Sequence, residues 1–342
     1  AFRFQLDGEV TLMVDGEQVA QKVYVKNPTN LYTLQAKAGK EYHIEILFKQ
    51  RNERATLDFD LGKQVEINLN LAVEKVKDAD VVLFAGGISP SLEGEEMPVE
   101  VSGFKGGDRT DIELPAVQRD LLRTLKKAGK KVVFINYSGS AIGLVPESNT
   151  CEAILQAWYP GQAGGTAIVD VLFGDYNPAG RLPVTFYKDV NQLPDFEDYS
   201  MKGRTYRYMQ QQPLFPFGHG LSYTDFTYGE AKLSKNTIAK GENVVLTIPV
   251  SNVGQRDGEE VVQVYLRRPG DKEGPRYTLR AFKRVHIPAG KTESVAIPLT
   301  GENFEWFDVE SNTMRPLEGT CELLYGGTSD RNKLKTIVMN VQ

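Results

Sequence analysis

Apolar and polar positions alternate in short runs through the first part of the chain. Residues 42–48 carry apolar side chains at every second position, and residues 56–61 repeat the pattern. A period of two indicates strands. Asp7-Gly8 and Asp15-Gly16 are two-residue turn signals, so the sequence predicts a hairpin at each. We expect residues 1–70 to be all-β and, because so small a hairpin pair is marginally stable alone, to belong to a larger sheet.

The pattern changes near residue 70. From there, short continuous apolar runs alternate along the chain with segments in which apolar residues recur at helical spacing. Residues 81–85 form such a run and end in Gly86-Gly87, which is typical of a parallel strand covered on both faces. In residues 115–128 and 163–173, apolar side chains recur at helical spacing and a glycine follows the last of them, so we predict a helix over each segment. The other predicted strands are residues 132–135, 153–158 and 182–186. Alternating strands and helices predict an α/β fold, here an α/β sandwich with a mostly parallel sheet.

Residues 213–223 are dense in Pro, Gly and aromatic side chains, and the pattern is β again from about residue 227. There, alternating apolar runs separated by turn residues predict a β-sandwich. The predicted segments are 1–70, a partial β-domain; 71–212, the α/β domain; 213–226, a linker; and 227–342, the sandwich. Packing between domains, rather than stacking on a sugar, is the interpretation we favour for the aromatic residues Tyr206, Tyr208, Phe215, Phe217 and Tyr223.

Composition and charge narrow the function classes. The 342 residues are 41% apolar and 25% charged, which is ordinary globular composition. No apolar run approaches the ~18 residues that a membrane helix needs. The net charge of −5, without a basic block, argues against duplex nucleic acid as a partner. We therefore expect no membrane and no nucleic acid among the partners, and the oligomeric state stays open.

Several motifs of catalysis are present only in weak form. Cys151 and Cys321 lie far apart and cannot build a disulfide framework, and the three scattered histidines give no metal spacing. Gly139-Ser140-Ala141 lacks the GxSxG spacing of a nucleophile elbow. Residues 161–166 open a predicted helix with a glycine-rich loop that matches neither phosphate-binding consensus. A nucleotide-dependent enzyme would rest on that loop alone, and we favour close backbone packing there.

Three carboxylates follow the first buried strand. Glu93, Glu95 and Glu96 lie in residues 88–97, and ligands of open α/β sheets bind beyond the carboxyl ends of strands. Crowding is one way in which proteins keep a carboxylic acid protonated near neutral pH, as a general acid requires. A solvated acidic loop explains the same residues. Asp108 and Arg109 are candidates for contacts with sugar hydroxyls, or for a helix cap and a structural ion pair.

Four motifs, in order, make the chain resemble the C-terminal half of glycoside hydrolase family 3. One contains the three glutamates, and the next contains Asp108-Arg109 and Pro115. The others are the Trp158-Tyr159-Pro160-Gly161 region with its following helix end, and the aromatic linker. The ranges are residues 84–97, 107–118, 157–162 with 173–183, and 215–224. Any one motif would be suggestive, and all four in sequence are specific.

The resemblance implies a fold for both ends of the chain. The sandwich is similar to the fibronectin type III-like domain that closes many family members. Residues 1–70 resemble the last strands of the protective-antigen-type β-domain that some members carry as an insertion within the α/β domain. The first strands of that host domain would then lie upstream of Ala1. Because the chain opens without Met or a leader, we expect a fragment or a processed chain.

The resemblance also implies a reaction. Family members remove β-linked sugars from the non-reducing end with retention, using an Asp nucleophile on a (β/α)8 barrel and a carboxylic acid/base in the loop before an Asp-Arg pair. Here that loop is residues 92–97. Because an insertion at 98–107 separates it from the Asp-Arg pair, the resemblance leaves open which of its three glutamates corresponds to the family's acid/base. We favour Glu95 as the acid/base, with Glu93 second and Glu96 third. Retention needs two carboxyl groups about 5–5.5 Å apart, and no nucleophile motif occurs in this chain, so we expect it to be inactive alone.

The sequence therefore predicts the C-terminal portion of a retaining, exo-acting β-xylosidase or β-glucosidase. Its partners would be a β-linked oligosaccharide and a barrel domain outside this chain, and acid–base chemistry on glycosides implies no cofactor and no metal. A non-catalytic carbohydrate-binding or scaffold module is the alternative. Trimming of polymeric substrates implies a periplasmic or secreted location.

Overall fold

The computed structural model describes all residues except 52, 54, 95, 98 and 100. The chain divides into two compact units, Ala1–Lys77 and Asp78–Gln342. The division lies seven residues beyond the predicted end of the first β segment.

The first unit is built around one long strand. Its elements are β1 (Phe2–Val14), β2 (Glu17–Tyr32), β3 (Ile44–Lys49), β4 (Thr56–Leu61) and α1 (Leu69–Lys75). Strand β1 pairs antiparallel with β2 along one edge, while β4 and β3 share its other edge in succession. Its apolar side chains alternate with polar ones and form the core of the unit, which includes Phe2, Phe4, Leu6, Val10 and Leu12.

Of the two predicted hairpins, one is confirmed and one is wrong. Asp15 and Gly16 form the turn between β1 and β2, both with positive φ, as a two-residue hairpin requires. Gly8 instead lies inside β1, at the point where the neighbouring strand changes from β4 to β3. Its φ is +143°, and a Cβ there would lie 2.6 Å from the Phe48 ring. The glycine therefore permits an irregular strand and a close approach rather than a reversal of the chain.

The second unit begins with the α/β region. Its elements are β5 (Val81–Gly87), β6 (Phe104–Lys105), β7 (Asp108–Arg109), α2 (Ala116–Lys127), β8 (Lys131–Tyr137), α3 (Val145–Thr150), β9 (Ala153–Gln156), α4 (Gly164–Phe173) and α5 (Thr205–Tyr208). Strands β5, β8 and β9 form a three-stranded sheet in which both pairs are parallel. The expectation of a mostly parallel sheet applies to these three strands alone, because the sheets elsewhere in the described chain are antiparallel or mixed.

Two expectations about this region are wrong. Residues 182–186 do not form a strand: Phe186 makes a single bridge with Phe215, because Pro183 cannot donate a ladder hydrogen bond. Strand β5 is not covered on both faces, since Val81 is 46% and Leu83 49% exposed. Successive side chains of a strand point to opposite faces, and only the face that carries Phe84 meets a packed core within the described unit.

The two predicted helices are confirmed with their ends. Helix α2 follows Pro115 and buries Leu122 and Leu125. Helix α4 is capped at its C-terminus by Gly174. On α2, Arg119 forms an ion pair with the buried Glu147 of α3, Nε to Oε1 at 2.7 Å, and a second with Glu113. Burial opposes the charge of Arg119, but hydrogen bonds to these two carboxylates raise its pKa.

The chain ends in a two-sheet sandwich. Its strands are β10 (Phe226–Tyr228), β11 (Lys232–Leu233), β12 (Thr237–Ile238), β13 (Val244–Asn252), β14 (Gly258–Arg267), β15 (Thr278–Ile287), β16 (Thr292–Leu299), β17 (Glu305–Asp308), β18 (Thr313–Pro316), β19 (Gly319–Gly326) and β20 (Lys335–Val341). Strand β13 joins β10, β11 and β16 in one sheet, and the other has the order β12-β20-β19-β14-β15, while β17 and β18 pair in a separate two-stranded sheet. Apolar side chains of both sheets fill the space between them.

The segment before the sandwich packs on both of its neighbours. Tyr206 stacks on Phe217 with ring centroids 4.8 Å apart and also contacts Tyr265 and Tyr277 of the sandwich region. A buried ion pair between Arg181 and Glu260, Nη2 to Oε2 at 2.8 Å, crosses the same junction. The aromatic residues Tyr206 and Phe217 thus join the α/β region to the sandwich, as the packing interpretation predicts.

Candidate active site

The carboxyl ends of β5, β8 and β9 meet at one edge of the parallel sheet, which is where ligands of open α/β sheets bind. After β5 comes the acidic turn, which we define as residues 88–97. After β8 comes Ser140, whose Oγ donates to Glu93 Oε1 at 2.7 Å. After β9 comes Tyr159, whose hydroxyl donates to the Ile88 carbonyl at 2.7 Å. Side chains from the other two strand ends therefore hold the acidic turn.

Arg109 also contacts the acidic turn through Glu93. Its Nη1 lies 3.5 Å from Glu93 Oε1, and both side chains are mostly buried, at 14% and 22% exposure. Its Nε and Nη2 donate to the carbonyls of Asp111 and Glu113, each at 3.0 Å. Its guanidinium also lies over the Phe104 ring, 5.3 Å from the centroid. With three nitrogens engaged, the guanidinium is held in one orientation toward Glu93.

Strands β6 and β7 form a small hairpin that supports the acidic turn. The Met97 amide donates to the Gly106 carbonyl at 2.8 Å. Gly107 is buried with φ of +92°, and a Cβ there would lie 1.6 Å from the Gly94 carbonyl oxygen. The backbones of the hairpin and the acidic turn are therefore in direct contact, and only glycine allows this approach.

The exit of the chain from β5 is fixed by α2. The Gln118 side chain accepts from the Gly87 amide at 2.8 Å and donates to the Gly87 carbonyl at 2.7 Å. Arg119, one residue along, anchors Glu113, whose own carbonyl accepts from Arg109. The helix therefore positions both the start of the acidic turn and the arginine that faces it.

The structure places the sequence candidates differently from one another. Glu93 lies within the contact network, whereas Glu96 is exposed and has a φ of +49°. Glu95, our first candidate, lies outside the described residues. Of the two proposed substrate-binding residues, Asp108 is exposed on the hairpin, and Arg109 is engaged by Glu93 and two carbonyls.

Two participants, Ser140 and Tyr159, were missed by the sequence reasoning. Ser140 belongs to a tripeptide that was tested only as a nucleophile elbow, and Tyr159 belongs to a family motif without an assigned role. The signal that could have found both is their position directly after predicted parallel strands. Burial raises the pKa of Tyr159, and the nearby Glu93 carboxylate adds to that rise, so its hydroxyl stays a hydrogen-bond donor at neutral pH.

Other chemistries have little support in the described residues. Burial raises the pKa of Cys151 and of Cys321 to about 11, so neither thiol is a thiolate nucleophile at neutral pH. In the glycine-rich loop, a Cβ on Gly164 would lie 2.4 Å from Pro160, which indicates close packing at this glycine, whereas no atom lies within 4 Å of a Cβ on Gly161 or Gly165. Where the chain is described, no three His, Cys, Asp or Glu side chains group to hold a metal ion. The described helices include none that is both long and apolar enough to cross a bilayer.

Comparison with known proteins identifies two domains. Residues 7–223 match the glycosyl hydrolase family 3 C-terminal domain, and residues 260–329 match the fibronectin type III-like domain. A xylan 1,4-beta-xylosidase of Xylanibacter ruminicola is 50% identical over 98% of this chain. A periplasmic beta-glucosidase of Salmonella typhimurium is 36% identical over 69% of it. The chain spans 39% and 31% of the lengths of these two relatives.

Solved structures agree with the family match. A β-glucosidase from Erythrobacter marinus aligns over 80% of this chain and 36% of its own, with a TM-score of 0.70 and 33% identity. A β-glucosidase from Listeria innocua aligns over 82% of this chain with a TM-score of 0.66. Because the family model covers more than half of the residues, the chain belongs to glycoside hydrolase family 3, and it carries that family's C-terminal domain followed by a fibronectin type III-like domain.

Proposed function

We propose that this chain is the C-terminal portion of a retaining, exo-acting β-glycosidase, and that its acidic turn supplies the general acid/base. The observation that carries the proposal is the position of the turn, because carboxylates follow β5 at the edge of the parallel sheet and Arg109 and Ser140 hold the first of them. The acid/base protonates the leaving glycosidic oxygen in the first step and removes a proton from water in the second. The nucleophile is proposed to lie on a barrel domain outside this chain.

Among the three glutamates, we assign the acid/base role to Glu95 and a positioning role to Glu93. The Glu93 carboxylate is engaged by the Ser140 hydroxyl and the Arg109 guanidinium. A carboxyl group that must give up and take back a proton needs access to the glycosidic oxygen and to water. The engaged carboxylate of Glu93 suits a positioning role, and the family resemblance favours Glu95 over the exposed Glu96 as the acid/base.

We propose β-xylosides, with xylan-type β-1,4 linkage, as the first substrate class, and short β-glucosides as the second. The similarity to a protein named xylan 1,4-beta-xylosidase extends over nearly the whole chain at 50% identity. The β-glucosidases of Salmonella typhimurium, Erythrobacter marinus and Listeria innocua are 36% identical or less. A non-catalytic carbohydrate module is not favoured by these relatives.

Two further proposals concern organisation and location. Residues 1–70 are assigned to the end of a protective-antigen-type β-domain inserted in the α/β domain, because the antiparallel unit is built around its own core. A periplasmic or secreted location follows from the substrate class, since polymeric xylan is trimmed outside the cytoplasm or after import.

The test uses the full-length protein that includes the barrel. For Glu95→Gln we expect kcat/KM on xylobiose to fall by about 10²–10⁴, with a smaller loss on an aryl xyloside whose leaving group needs little protonation. Azide should restore turnover of the aryl substrate and yield β-xylosyl azide, because azide attacks the glycosyl-enzyme without a base. Glu96→Gln is the matched control and should resemble the unmodified enzyme. Near-normal xylobiose turnover by Glu95→Gln would remove Glu95 from the role.

A further inference from the structure

A small cavity lies where the segment before the sandwich meets the sandwich itself. Its volume is about 260 Å³, and it is lined on one side by residues within 206–216 and on the other by residues 276–277 and 329–332. Cavities of ~150 Å³ hold a benzene-sized molecule, and pockets for drug-sized ligands begin near ~300 Å³. The space therefore suits a single six-membered ring with its substituents.

The buried side of this cavity holds a hydroxyl group without a partner. Ser329 lines the cavity and is 1% exposed. Its amide donates to the Phe217 carbonyl at 2.9 Å and its carbonyl accepts from the Tyr277 hydroxyl at 2.7 Å, so the residue is fixed in place. Its Oγ, however, has no hydrogen-bond partner within the described chain. Because buried hydroxyls are nearly always paired, this one points to a polar ligand atom as its partner.

Two guanidinium groups give the cavity positive charge. Arg276 is held in place by its Nη1, which donates to the Met209 carbonyl. Arg331 also lines the cavity, and its side chain has no hydrogen-bond or ion-pair partner among the described residues. Against these two cations the described lining offers one carboxylate, that of Asp330, which already accepts from the Asn332 amide at 3.1 Å. Since a guanidinium binds a carboxylate through two parallel hydrogen bonds, the cavity favours an anionic group of that kind.

Neutral polar groups and prolines complete the walls. The side-chain amides of Gln210 and Asn332 lie at the exposed rim. Each amide offers donors and an acceptor, which are what the hydroxyl groups of a sugar need. Pro213 and Pro216 add apolar surface, against which the C–H groups of a sugar ring pack. A sugar acid carries all of the matching groups on one ring, namely a carboxylate, several hydroxyls and C–H faces.

We propose that this cavity, which we call the junction pocket, binds a monosaccharide acid of the uronate class. The carboxylate pairs with the guanidinium groups of Arg331 and Arg276, and one ring hydroxyl bonds to Ser329 Oγ. The remaining hydroxyls face the amides of the rim. The inference is independent of the proposed function, because binding in the junction pocket requires no proton transfer and no group outside this chain.

The test measures binding to the full-length protein by saturation-transfer difference NMR. The probe is methyl α-D-glucuronide, whose α-linkage a β-glycosidase does not cleave. We expect a Kd of about 1 mM, since small ligands gain limited free energy per atom. Arg331→Gln should weaken binding about tenfold and Ser329→Ala about threefold, because each removes one hydrogen-bonding partner. Arg315→Gln, which removes an exposed charge from β18, is the matched control and should leave binding unchanged.

Two comparison ligands test the chemical class with the unmodified protein, so their results hold even if a variant fails to fold. Methyl α-D-glucoside lacks the carboxylate of the probe, and acetate keeps only the carboxylate. Both should bind at least tenfold more weakly than the probe, about the loss of one charge-assisted hydrogen bond. A glucoside or an acetate that binds as tightly as the probe would overturn the uronate class. No binding of the probe, or binding that a folded Arg331→Gln leaves unchanged, would overturn the junction pocket itself.

Discussion

At the scale of the residue, the chemistry of the candidate site depends on contacts that are distant in sequence. Arg109 reaches Glu93, sixteen positions earlier in the chain, and two carbonyls just ahead of α2. The neighbour of Arg109 in the family motif, Asp108, points to solvent instead. The Asp-Arg pair therefore contains one residue that organises the acidic turn and one that lies on the surface of the hairpin.

Gly107 provides a test of the contact between the hairpin and the acidic turn. Gly107→Ala should lower the free energy of unfolding by about 3 kcal/mol, because it adds left-handed strain and a clash with the Gly94 carbonyl. Gly106→Ala is the matched control: its φ is also positive, but no atom lies within 4 Å of its Cβ position. We expect Gly106→Ala to lower the free energy of unfolding by about 1 kcal/mol.

Urea unfolding followed by tryptophan fluorescence measures both values, since Trp158 packs in the core of the α/β region. Equal costs for the two glycine variants would contradict the close approach of the two backbones.

At the scale of the element, the segment that joins the α/β region to the sandwich is more than a spacer. The ring of His219 stacks on Phe215 with centroids 5.1 Å apart and the planes within 6° of parallel. The Leu182 amide donates to the His219 carbonyl at 2.8 Å. Residues 215–219 thus lie alongside residues 182–186 and accept hydrogen bonds from their backbone amides, as a neighbouring strand would.

Stability should fall as the pH falls through the titration of His219. Burial lowers the pKa of His219, and the charges of Lys333 and Arg181 act in the same direction against a smaller opposing effect of Asp330. The unfolded chain, with a histidine pKa near ~6.5, therefore binds a proton before the folded chain does. Above pH ~6.5 the neutral His219 side chain makes its full contribution to stability. That contribution is lost progressively as the pH falls from ~6.5 toward the lower pKa that His219 has in the folded chain.

Chemical denaturation between pH 7.5 and 5.5 measures this dependence. His219→Phe should keep the stacking on Phe215 and reduce the loss of unfolding free energy between pH 7.5 and 5.5. His286→Phe, which replaces a side chain that is 58% exposed, should leave that loss unchanged. The same slope in the unmodified chain and in His219→Phe would show that another group is responsible.

At the scale of the whole molecule, the chain carries one side of the proposed active site. Because retention requires a second carboxyl group about 5–5.5 Å from the acid/base, we expect the 342-residue chain alone to give no detectable turnover of aryl β-xylosides or β-glucosides. Release of nitrophenol from each substrate measures this. Turnover by the isolated chain that Glu95→Gln abolishes would place both carboxyl groups within it. Turnover that survives in Glu95→Gln would point to a contaminating hydrolase.

The sequence by itself determined the features that depend on neighbours in the chain. Periodicity predicted β5, β8, β9 and β4, and terminal Pro and Gly residues predicted the ends of α2 and α4, because alternation, caps and turns are local properties. The order of motifs predicted the family. The same reasoning placed the carboxylates after β5, since a strand end and its charge pattern are both visible in sequence.

Only the tertiary structure decided which distant groups meet. The contacts of Glu93 with Ser140 and Arg109 depend on three strand ends and a hairpin arriving at one edge, which no local pattern encodes. Gly8 continues a strand because two different strands share the edge of β1, and β5 is half exposed because only one of its faces meets a core. Local patterns specify what an element is, whereas packing between elements specifies what its side chains touch.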